Sequence, residues 1–261
     1  MVSKPTFLGS EHAAAFEDAD VAAAYYARPP YSAAVFTLLA ELLVDRPRVI
    51  LDLGCGTGAL ACRLAPIVDR VDAVDFSAPM IEAGKRSPGG DHPALRWIVG
   101  RAEDAPLEPP YALVTAGSSL HWMDWEVVLP RLSRALTPRG MLAIVNEGLV
   151  PPPWQADLVA IIRRYSANQD FQPGFDLPTE LAARGLFQLQ GRQKTAPEPF
   201  RQPLDTYVES FHARSALARA RIGADAAGRF DAEVRDLVSR HQGSTVELEL
   251  VSDVAWGRPA A

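Results

Sequence analysis

The chain has 261 residues, of which 48% are hydrophobic and 22% are charged, and its formal net charge at pH 7 is -6. This length supports one large domain, or one domain with an added lid, around a substantial core. The acidic balance and the lack of a Lys/Arg-rich run argue against nucleic acid as a partner. No apolar run approaches the roughly 18 residues that a membrane span needs, and the first residues lack the apolar core of a signal peptide. We therefore expect a cytoplasmic globular protein, a monomer or a homodimer, that does not bind membranes.

Cysteine usage agrees with that expectation. The two cysteines, Cys55 and Cys62, are too few and wrongly spaced for a zinc knuckle or a Cys-x-x-Cys redox pair. We expect both to be small buried residues in a reducing compartment, and we predict no metal site.

Helical and strand patterns alternate through the first half of the chain. From Val35 onward, apolar residues recur at i, i+3, i+4, i+7 and i+8, which is typical of an amphipathic helix. In chain order the predicted elements are a helix at 32–43, a strand at 48–52, a helix at 60–68, a strand at 71–74, a helix at 77–86 capped by Ser77, strands at 95–99 and 112–116, a helix at 129–136 and a strand at 141–145. Strands separated by helices predict a parallel sheet with helices on both faces, which binds its ligand at the carboxyl ends of the strands.

The second half begins at a proline-rich break, residues 151–154. Helices are predicted at 154–165, 180–187, 204–211 and 225–240, and strands at 187–195 and 245–250. The helices between 154 and 168 and between 203 and 240 are more than a sheet needs, so we interpret them as a lid.

Three glycines at alternate positions follow the first predicted strand: Gly54, Gly56 and Gly58. Glycine lets the backbone turn tightly or approach a ligand closely. The loop lacks the Gly-Lys-Ser/Thr ending of a phosphate-binding P-loop. Its spacing departs from the Gly-x-Gly-x-x-Gly dinucleotide fingerprint, although Ala59 satisfies the variant that ends in alanine. The glycines alone leave open a nicotinamide dinucleotide, another nucleoside ligand and a purely structural turn.

Two aspartates lie beside these glycines. Asp52 lies just before the first glycine, where a carboxylate favours a cationic ligand over a pyrophosphate. Asp75 closes the second strand about 20 residues further on, where a carboxylate accepts hydrogen bonds from ribose hydroxyls. The structural alternative for Asp75 is an acid that precedes a helix and is stabilised by the helix dipole.

Five segments, taken in order, carry a resemblance to a known family: DLGCGTG (52–58), VDFSAPMIEAG (74–84), GRAEDAP (100–106), SSLHW (118–122) and LTPRGMLAIV (136–145). The chain resembles the class I S-adenosylmethionine-dependent methyltransferases, and within them the small-molecule branch that includes trans-aconitate methyltransferase. The resemblance covers about residues 20–147. It departs from the family at Tyr111-Ala112, where members often carry an aspartate, and at Thr137-Pro138-Arg139-Gly140, where Lys-Pro-Gly-Gly is usual.

The resemblance implies a fold and a reaction. The fold would be α/β and Rossmann-like, a doubly wound, mostly parallel seven-stranded sheet with an antiparallel last strand and an added helical lid. The cofactor would be S-adenosylmethionine and the product S-adenosylhomocysteine. The methyl group would move by in-line displacement to a small organic acceptor, with O-methylation favoured.

By position, the resemblance also implies a cofactor site around the glycine loop. Asp52 would lie beside the amino-acid end of the cofactor, and Asp75 would hold the ribose hydroxyls. Phe76 and Met80 would flank the adenine, with the segment after strand three at the adenine edge. The full predicted set is Tyr25, Arg28, Asp52, Gly54, Cys55, Gly56, Asp75, Phe76, Met80, Ala102, Glu103 and Ser118.

The predicted acceptor site centres on His121, which follows the fourth strand. Because imidazole titrates near neutrality, His121 would act as a general base or position the acceptor; alternatively, it only shapes the cofactor pocket together with Trp122. The full predicted set is Tyr26, Tyr31, His121, Trp122, Glu147 and Trp154. Competing interpretations are a solvated loop acid for Glu147 and a core residue of the added helices for Trp154.

The segment around Pro29-Pro30 carries three tyrosines and Arg28. In the resembling family a similar segment folds over the cofactor, and Arg28 could pair with a carboxylate there. The structural alternative is a capped helix pair with Arg28 in solvent.

These expectations divide the chain into three parts. Residues 1–46 would form a helical cap over the cofactor, residues 47–148 the S-adenosylmethionine-binding core, and residues 149–261 the rest of the sheet with an inserted lid for the acceptor. Two other functions stay open. One is a nicotinamide-dependent oxidoreductase, although the sequence has no Tyr-x-x-x-Lys pair. The other is a non-catalytic module that binds S-adenosylmethionine or its product.

Overall fold

A computed structural model describes residues 4–170, 172 and 174–260, and the chain divides into two compact units that interleave along the sequence. The helical unit comprises Met1–Pro30, Leu149–Pro173 and Pro197–Val251, and the sheet unit comprises Tyr31–Gly148, Gly174–Ala196 and Ser252–Ala261. The functional division at residues 46/47 and 148/149 stays a prediction.

The strands account for the parallel core that the sequence predicts. In chain order they are β1 (Val49–Leu53), β2 (Arg70–Asp75), β3 (Leu95–Val99), β4 (Tyr111–Gly117), β5 (Leu136–Leu149), β6 (Phe187–Lys194), β7 (Glu198–Pro203) and β8 (Thr245–Pro259). Over the described residues, the sheet order is β3-β2-β1-β4-β5-β8-β6, and β7 also pairs with β8. Strands β1 to β5 pair in parallel, whereas β8 is antiparallel to β6 and β7. The mostly parallel Rossmann-like sheet with an antiparallel last strand is confirmed. The predicted number of seven strands is corrected to eight over the described residues, because β7 also pairs with β8 and has no counterpart in the prediction.

The order of the strands locates the ligand-binding edge. The chain proceeds outward from β1 to β3 and then returns to β4 on the other side of β1. Because crossovers between parallel strands are right-handed, the connections of the two halves lie on opposite faces. The carboxyl ends of β1 and β4 therefore flank the topological switch point, where sheets of this kind bind their ligands.

The helices follow the predicted pattern with two corrections. In chain order they are α1 (Ser10–Ala13), α2 (Ala19–Ala24), α3 (Ala33–Leu42), α4 (Ala61–Leu64), α5 (Ala78–Lys85), α6 (Trp125–Ala135), α7 (Gln155–Tyr165), α8 (Leu177–Ala183), α9 (Leu204–Glu209), α10 (Arg219–Ile222) and α11 (Ala224–Ser239). The Ser77 hydroxyl accepts the Met80 N–H and caps α5, as predicted.

The first correction concerns the helix predicted over 60–68. It is a single α-helical turn followed by a 3-10 turn at Ala65–Ile67, because Pro66 has no N–H with which to continue the α-helical pattern. The second concerns Leu136, predicted at the end of a helix. The helix ends at Ala135, and Leu136 begins β5 and pairs with Tyr111 of β4.

The core of the sheet unit surrounds β1, whose five residues are all buried. Leu39 of α3 and Leu64 of α4 belong to the same buried cluster as Ile50 and Leu113. Burial of a central strand on both faces is typical of a parallel sheet covered by helices. This rigid layer holds the strand ends that carry the candidate site.

A charged cluster lies near the amino ends of the strands. The fully buried Asp72 accepts a hydrogen bond from the Tyr111 hydroxyl at 2.7 Å. The Nε atoms of Arg70 and Arg96 lie 3.1 Å and 3.0 Å from the other oxygen of Asp72. Tyr111, which stands where family members often carry an aspartate, is thus a donor to a buried carboxylate.

The helical unit has a core of its own. Phe230 and Val234 of α11 pack in one cluster with Leu158 of α7 and Tyr207 of α9. Strand β7 and the first part of β8 lie in this unit. Over the described part of the chain, no helix combines the length and apolarity of a membrane span.

Candidate functional site

The loop after β1 depends on its glycines. Gly54, Gly56 and Gly58 adopt φ angles of 67°, 55° and 81°, a region that side chains strongly disfavour. A Cβ atom on Gly54 would lie 2.5 Å from Cβ of Ser119, and one on Gly58 would lie 2.6 Å from Cη2 of Trp97. The loop therefore needs glycines for two reasons: its backbone conformation, and its close packing against Ser119 and Trp97.

Asp75, at the end of β2, ties this loop to the start of α5. Its Oδ2 atom accepts the N–H of Gly56 and its Oδ1 atom accepts the N–H of Ser77, both at 2.8 Å. Burial raises the pKa of Asp75, and these two backbone donors oppose the increase. Each carboxylate oxygen can accept a further hydrogen bond, so this carboxylate can also bind hydroxyl groups.

Asp52, in β1, is another buried carboxyl group of the sheet unit. It is only 1% exposed, and its Oδ1 atom accepts the Thr115 hydroxyl at 2.7 Å. Burial raises the pKa of Asp52 to about 7, against the opposing hydrogen bonds from Thr115 and the Ala61 N–H. A cation nearby would favour the ionised form and offset part of the cost of burying it.

The turn after β4 packs against the glycine loop. Ser118 has a φ of 49°, and it is the one non-glycine among the described residues with a positive value. Its N–H donates to Val145 of β5, while the Ser119 hydroxyl donates to the carbonyl oxygen of Leu53 at 2.6 Å. Strained backbone of this kind concentrates at functional sites, and this turn lies at the predicted ligand edge.

The segment after β3 is anchored on both sides. The Gly100 N–H donates to the carbonyl oxygen of Asp75 at 2.9 Å. Arg131 of α6 donates to the carbonyl oxygens of Ala102, at 2.7 Å, and Ala105. Glu103 accepts the Asp124 N–H at 2.9 Å. The predicted adenine-edge residues therefore lie in a segment that is fixed beside Asp75.

The remaining predicted cofactor residues lie on the same loops. Cys55 is 8% exposed, its N–H donates to Val74 at 3.0 Å, and burial raises the pKa of its thiol. Phe76 is half-buried and follows Asp75, and Met80 on α5 is almost fully buried.

The predicted acceptor residues of the sheet unit lie at the ends of β4 and β5. His121 and Trp122 form a 3-10 turn after β4, and their ring centroids are 4.4 Å apart at an interplanar angle of 53°. Both are half-buried. A Cβ atom on Gly117 would lie 2.6 Å from the Tyr31 hydroxyl oxygen, so this hydroxyl lies at the end of β4. Glu147 is half-buried and comes shortly after Val145, which pairs with Gly117.

Four predicted site residues belong to the helical unit. Arg28 donates to the Tyr25 hydroxyl at 3.0 Å, and Tyr26 is 76% exposed. Trp154 is 2% exposed and packs in the core of that unit, with its ring 5.4 Å from that of His241. Their roles toward a cofactor or an acceptor stay predictions.

Sequence reasoning missed three residues that shape the site: Thr115, Ser119 and Arg131. Ser119 could have been found, because it lies next to the predicted Ser118. Thr115 and Arg131 act through partners distant in sequence, Asp52 and the carbonyl groups after β3, and no local pattern reveals such contacts.

Comparison with known proteins supports the interpretation of this site. A family model described as a methyltransferase domain matches residues 50–140, the stretch from β1 to β5 that contains the glycine loop, Asp75 and His121. Residues 50–140 form a methyltransferase domain. It is of the class I, S-adenosylmethionine-dependent kind.

Relatives and solved structures extend the likeness. The chain is 34% identical over 111 residues to malonyl-[acyl-carrier protein] O-methyltransferase of Halalkalibacterium halodurans, covering 40% of this chain and 41% of that protein. It is 33% identical over 111 residues to trans-aconitate 2-methyltransferase of an Azoarcus species, covering 41% and 42%. The matches thus span less than half of these two relatives. The structure of a candidate type II methyltransferase from Anaeromyxobacter dehalogenans matches with a TM-score of 0.64 and 27% identity, covering 88% of this chain and 97% of that one.

The raised pKa of Asp52 predicts a pH-dependent stability difference for Asp52→Asn. Because the folded state keeps Asp52 protonated up to about pH 7 while the unfolded chain ionises near pH 4, the wild type loses stability as pH rises between these values. The substituted asparagine cannot ionise, so the free energy of unfolding of the Asp52→Asn variant, relative to that of the wild type, should increase by on the order of 2 kcal/mol between pH 5 and pH 7. Above pH 7 this difference should change little further. Urea unfolding across this range measures the difference, and one that stays constant with pH would contradict a raised pKa.

Proposed function

We propose that this protein transfers a methyl group from S-adenosylmethionine to a small organic acceptor, with an oxygen atom as the favoured acceptor atom. The observation that carries this proposal is the Asp75 carboxylate, held by the N–H groups of Gly56 and Ser77 beside the glycine loop of the methyltransferase domain. It presents hydroxyl-accepting oxygens at the edge where a nucleoside ligand of this fold is expected.

The chemistry of the available groups fits such a cofactor. Asp75 would accept hydrogen bonds from the ribose hydroxyls, and the glycine loop would admit the methionine part close to the backbone. Asp52, whose pKa of about 7 leaves it poised between its two forms, would favour the cationic charge of the cofactor. Phe76, with its half-buried ring, would lie against the adenine.

When bound, S-adenosylmethionine supplies a methyl group that is already activated by the positive sulfur. The protein then has to align the acceptor and exclude water. A general base is needed only for an acceptor that holds a proton at neutral pH. His121, at the end of β4, would accept that proton from an alcohol or phenol, and Trp122 and Tyr31 would form walls of the acceptor pocket.

The names of the two relatives support O-methylation of an acid. One relative is named as an O-methyltransferase of malonyl-[acyl-carrier protein] and the other as a 2-methyltransferase of trans-aconitate. Each of these two substrates carries a free carboxylate. A carboxylate acceptor is ionised at neutral pH and needs no base. In that case His121 would position the acceptor rather than take a proton from it.

Cofactor binding by the wild type and Asp75→Ala is the first test. Calorimetry should detect S-adenosylmethionine and S-adenosylhomocysteine, but not NAD. Loss of hydrogen bonds to a charged group costs roughly 1.5–3 kcal/mol each, so Asp75→Ala should bind both at least about tenfold more weakly. The control Asp91→Ala removes an exposed carboxylate of the same unit and should bind like the wild type. Tight NAD binding, or equal affinity in Asp75→Ala, would overturn this assignment.

Turnover of His121→Ala is the second test. A panel of carboxylic acids, phenols and alcohols, followed by release of S-adenosylhomocysteine, identifies an acceptor. With an alcohol or phenol, loss of a general base should lower kcat about 100-fold or more, while the affinity for S-adenosylmethionine holds. Unchanged kcat with such an acceptor would show that His121 only lines the acceptor pocket and does not act as a base. No turnover with any acceptor would favour a non-catalytic binding module.

A further inference from the structure

A buried pair of polar side chains joins β1 to β4. Asp52 and Thr115 are register partners of these two parallel strands, and their exposed fractions are 1% and 0%. Side chains of register partners point to the same face of a sheet, and the Thr115 hydroxyl donates to Oδ1 of Asp52 at 2.7 Å. Two residues earlier on this face, the partners Ile50 and Leu113 belong to the apolar core with Leu64 of α4. The polar pair therefore follows the apolar core, toward the carboxyl ends of both strands.

Two donors hold the carboxyl group of Asp52. One is the Thr115 hydroxyl, and the other is the N–H of Ala61, the first residue of α4. Both favour the ionised form, because a carboxylate accepts hydrogen bonds more strongly than a carboxylic acid does. The donor at Ala61 is a backbone group, whereas the hydroxyl depends on the identity of residue 115. Thr115 is thus the side chain that adjusts the ionisation of Asp52.

The charge of Asp52 acts at the ligand edge of the sheet. Burial, and to a lesser degree the negative charge of Asp75, raise the pKa of Asp52 to about 7 against its two donors. The two carboxyl groups are therefore close enough for their charges to interact. Because Asp75 carries the proposed ribose site, a positive charge on a ligand bound there acts on Asp52 in the opposite sense and favours its ionised form.

Two thiols also interact with the charge of Asp52: Cys55 in the glycine loop and Cys62 on α4. Burial is the largest cause that raises the pKa of both thiols, to about 11 for Cys62, and the charge of Asp52 adds to the increase. Both thiols therefore stay neutral near pH 7. Burial raises the pKa of Asp75 as well, so a replacement of Asp52 is needed to identify which carboxyl group titrates.

We propose that Thr115 is a positioning residue that holds Asp52 in its ionised form, so that the site prefers the cationic S-adenosylmethionine to S-adenosylhomocysteine, whose sulfur is neutral. This inference rests on the proposed function. Methyl transfer removes the positive charge from the sulfur, so the ionised Asp52 stabilises the bound substrate cofactor more than the bound product. Where Asp52 is protonated before binding, its proton passes to solvent when S-adenosylmethionine binds.

The ratio of the two affinities is the first measurement. Calorimetry on the full chain at pH 6, 7 and 8 gives the Kd of each ligand. Because Asp52 ionises around pH 7, the preference of the wild type for S-adenosylmethionine should rise roughly fivefold from pH 6 to pH 8. In Asp52→Asn this part of the rise should be absent, whereas any titration of the ligands themselves is common to both proteins. A ratio that rises equally in the two proteins would overturn the proposal.

Replacement of Thr115 tests its own role. Thr115→Val keeps nearly the same shape but removes the donor, so the rise should move to a pH about one unit higher or more. Thr115→Ser, which keeps the hydroxyl, should restore the wild-type profile. The matched control Thr195→Val removes another buried hydroxyl of the same unit, which accepts the Ser252 N–H at 2.9 Å, and should leave the profile unchanged. A wild-type profile in Thr115→Val would contradict the role of Thr115.

Proton release on binding keeps the proposal falsifiable if Thr115→Val fails to fold. At pH 7 about half of the wild-type molecules carry a proton on Asp52. Calorimetry in two buffers of different ionisation enthalpy counts the protons released. S-adenosylmethionine should release up to about half a proton more from the wild type than from Asp52→Asn, and S-adenosylhomocysteine clearly less. Equal differences for the two ligands would overturn the proposal.

The failure of this inference is distinguishable from the failure of the proposed function. If neither ligand binds the wild type, the proposed function fails and this inference fails with it. If both ligands bind but the ratio of their affinities does not change with pH, this inference alone is wrong.

Discussion

The carboxylate of Asp75 is the constraint on which the candidate site depends. One of its oxygens holds the N–H of Gly56 in the loop after β1, and the other holds the N–H of Ser77 at the start of α5. Its own carbonyl oxygen accepts the N–H of Gly100 after β3. Three segments from the ends of neighbouring parallel strands thus converge on one residue. Because Asp75 is buried, the N–H groups of Gly56 and Ser77 also reduce the cost of keeping a charge on its carboxyl group.

The packing around this loop explains why its glycines cannot be replaced by residues with side chains. The loop follows positive φ angles, and a side chain on Gly54 would collide with Ser119 of the turn after β4. The turn after β4 also contains Ser118, whose φ angle is positive, and it leads to His121. The backbone conformation of the glycine loop and the position of His121, the candidate base, are therefore coupled through direct packing within the sheet unit.

Much of the sheet was predictable because its physical causes are local. Five-residue segments with one charged and four apolar residues identify β1 and β3. The glycines directly follow β1, and Asp75 ends β2. Strand β7 was missed because two of its six residues are prolines, which are untypical of a strand interior. The anchors Thr115 and Arg131 were missed because their partners are far away in sequence. For the helical unit, amphipathic patterns identified α7 and α11, but such patterns state that a face is buried and not what covers it. The roles of Tyr25, Arg28 and Trp154 therefore stay predictions.

A crystal structure of the protein with S-adenosylhomocysteine tests the central claim most directly. We expect both ribose hydroxyls within hydrogen-bond distance of the Asp75 carboxylate, with the amino-acid part of the ligand against the glycine loop, Gly54 to Gly58. The volume beside the sulfur atom should then be bordered by His121. A ligand bound elsewhere, or a ribose that does not contact Asp75, would contradict the account.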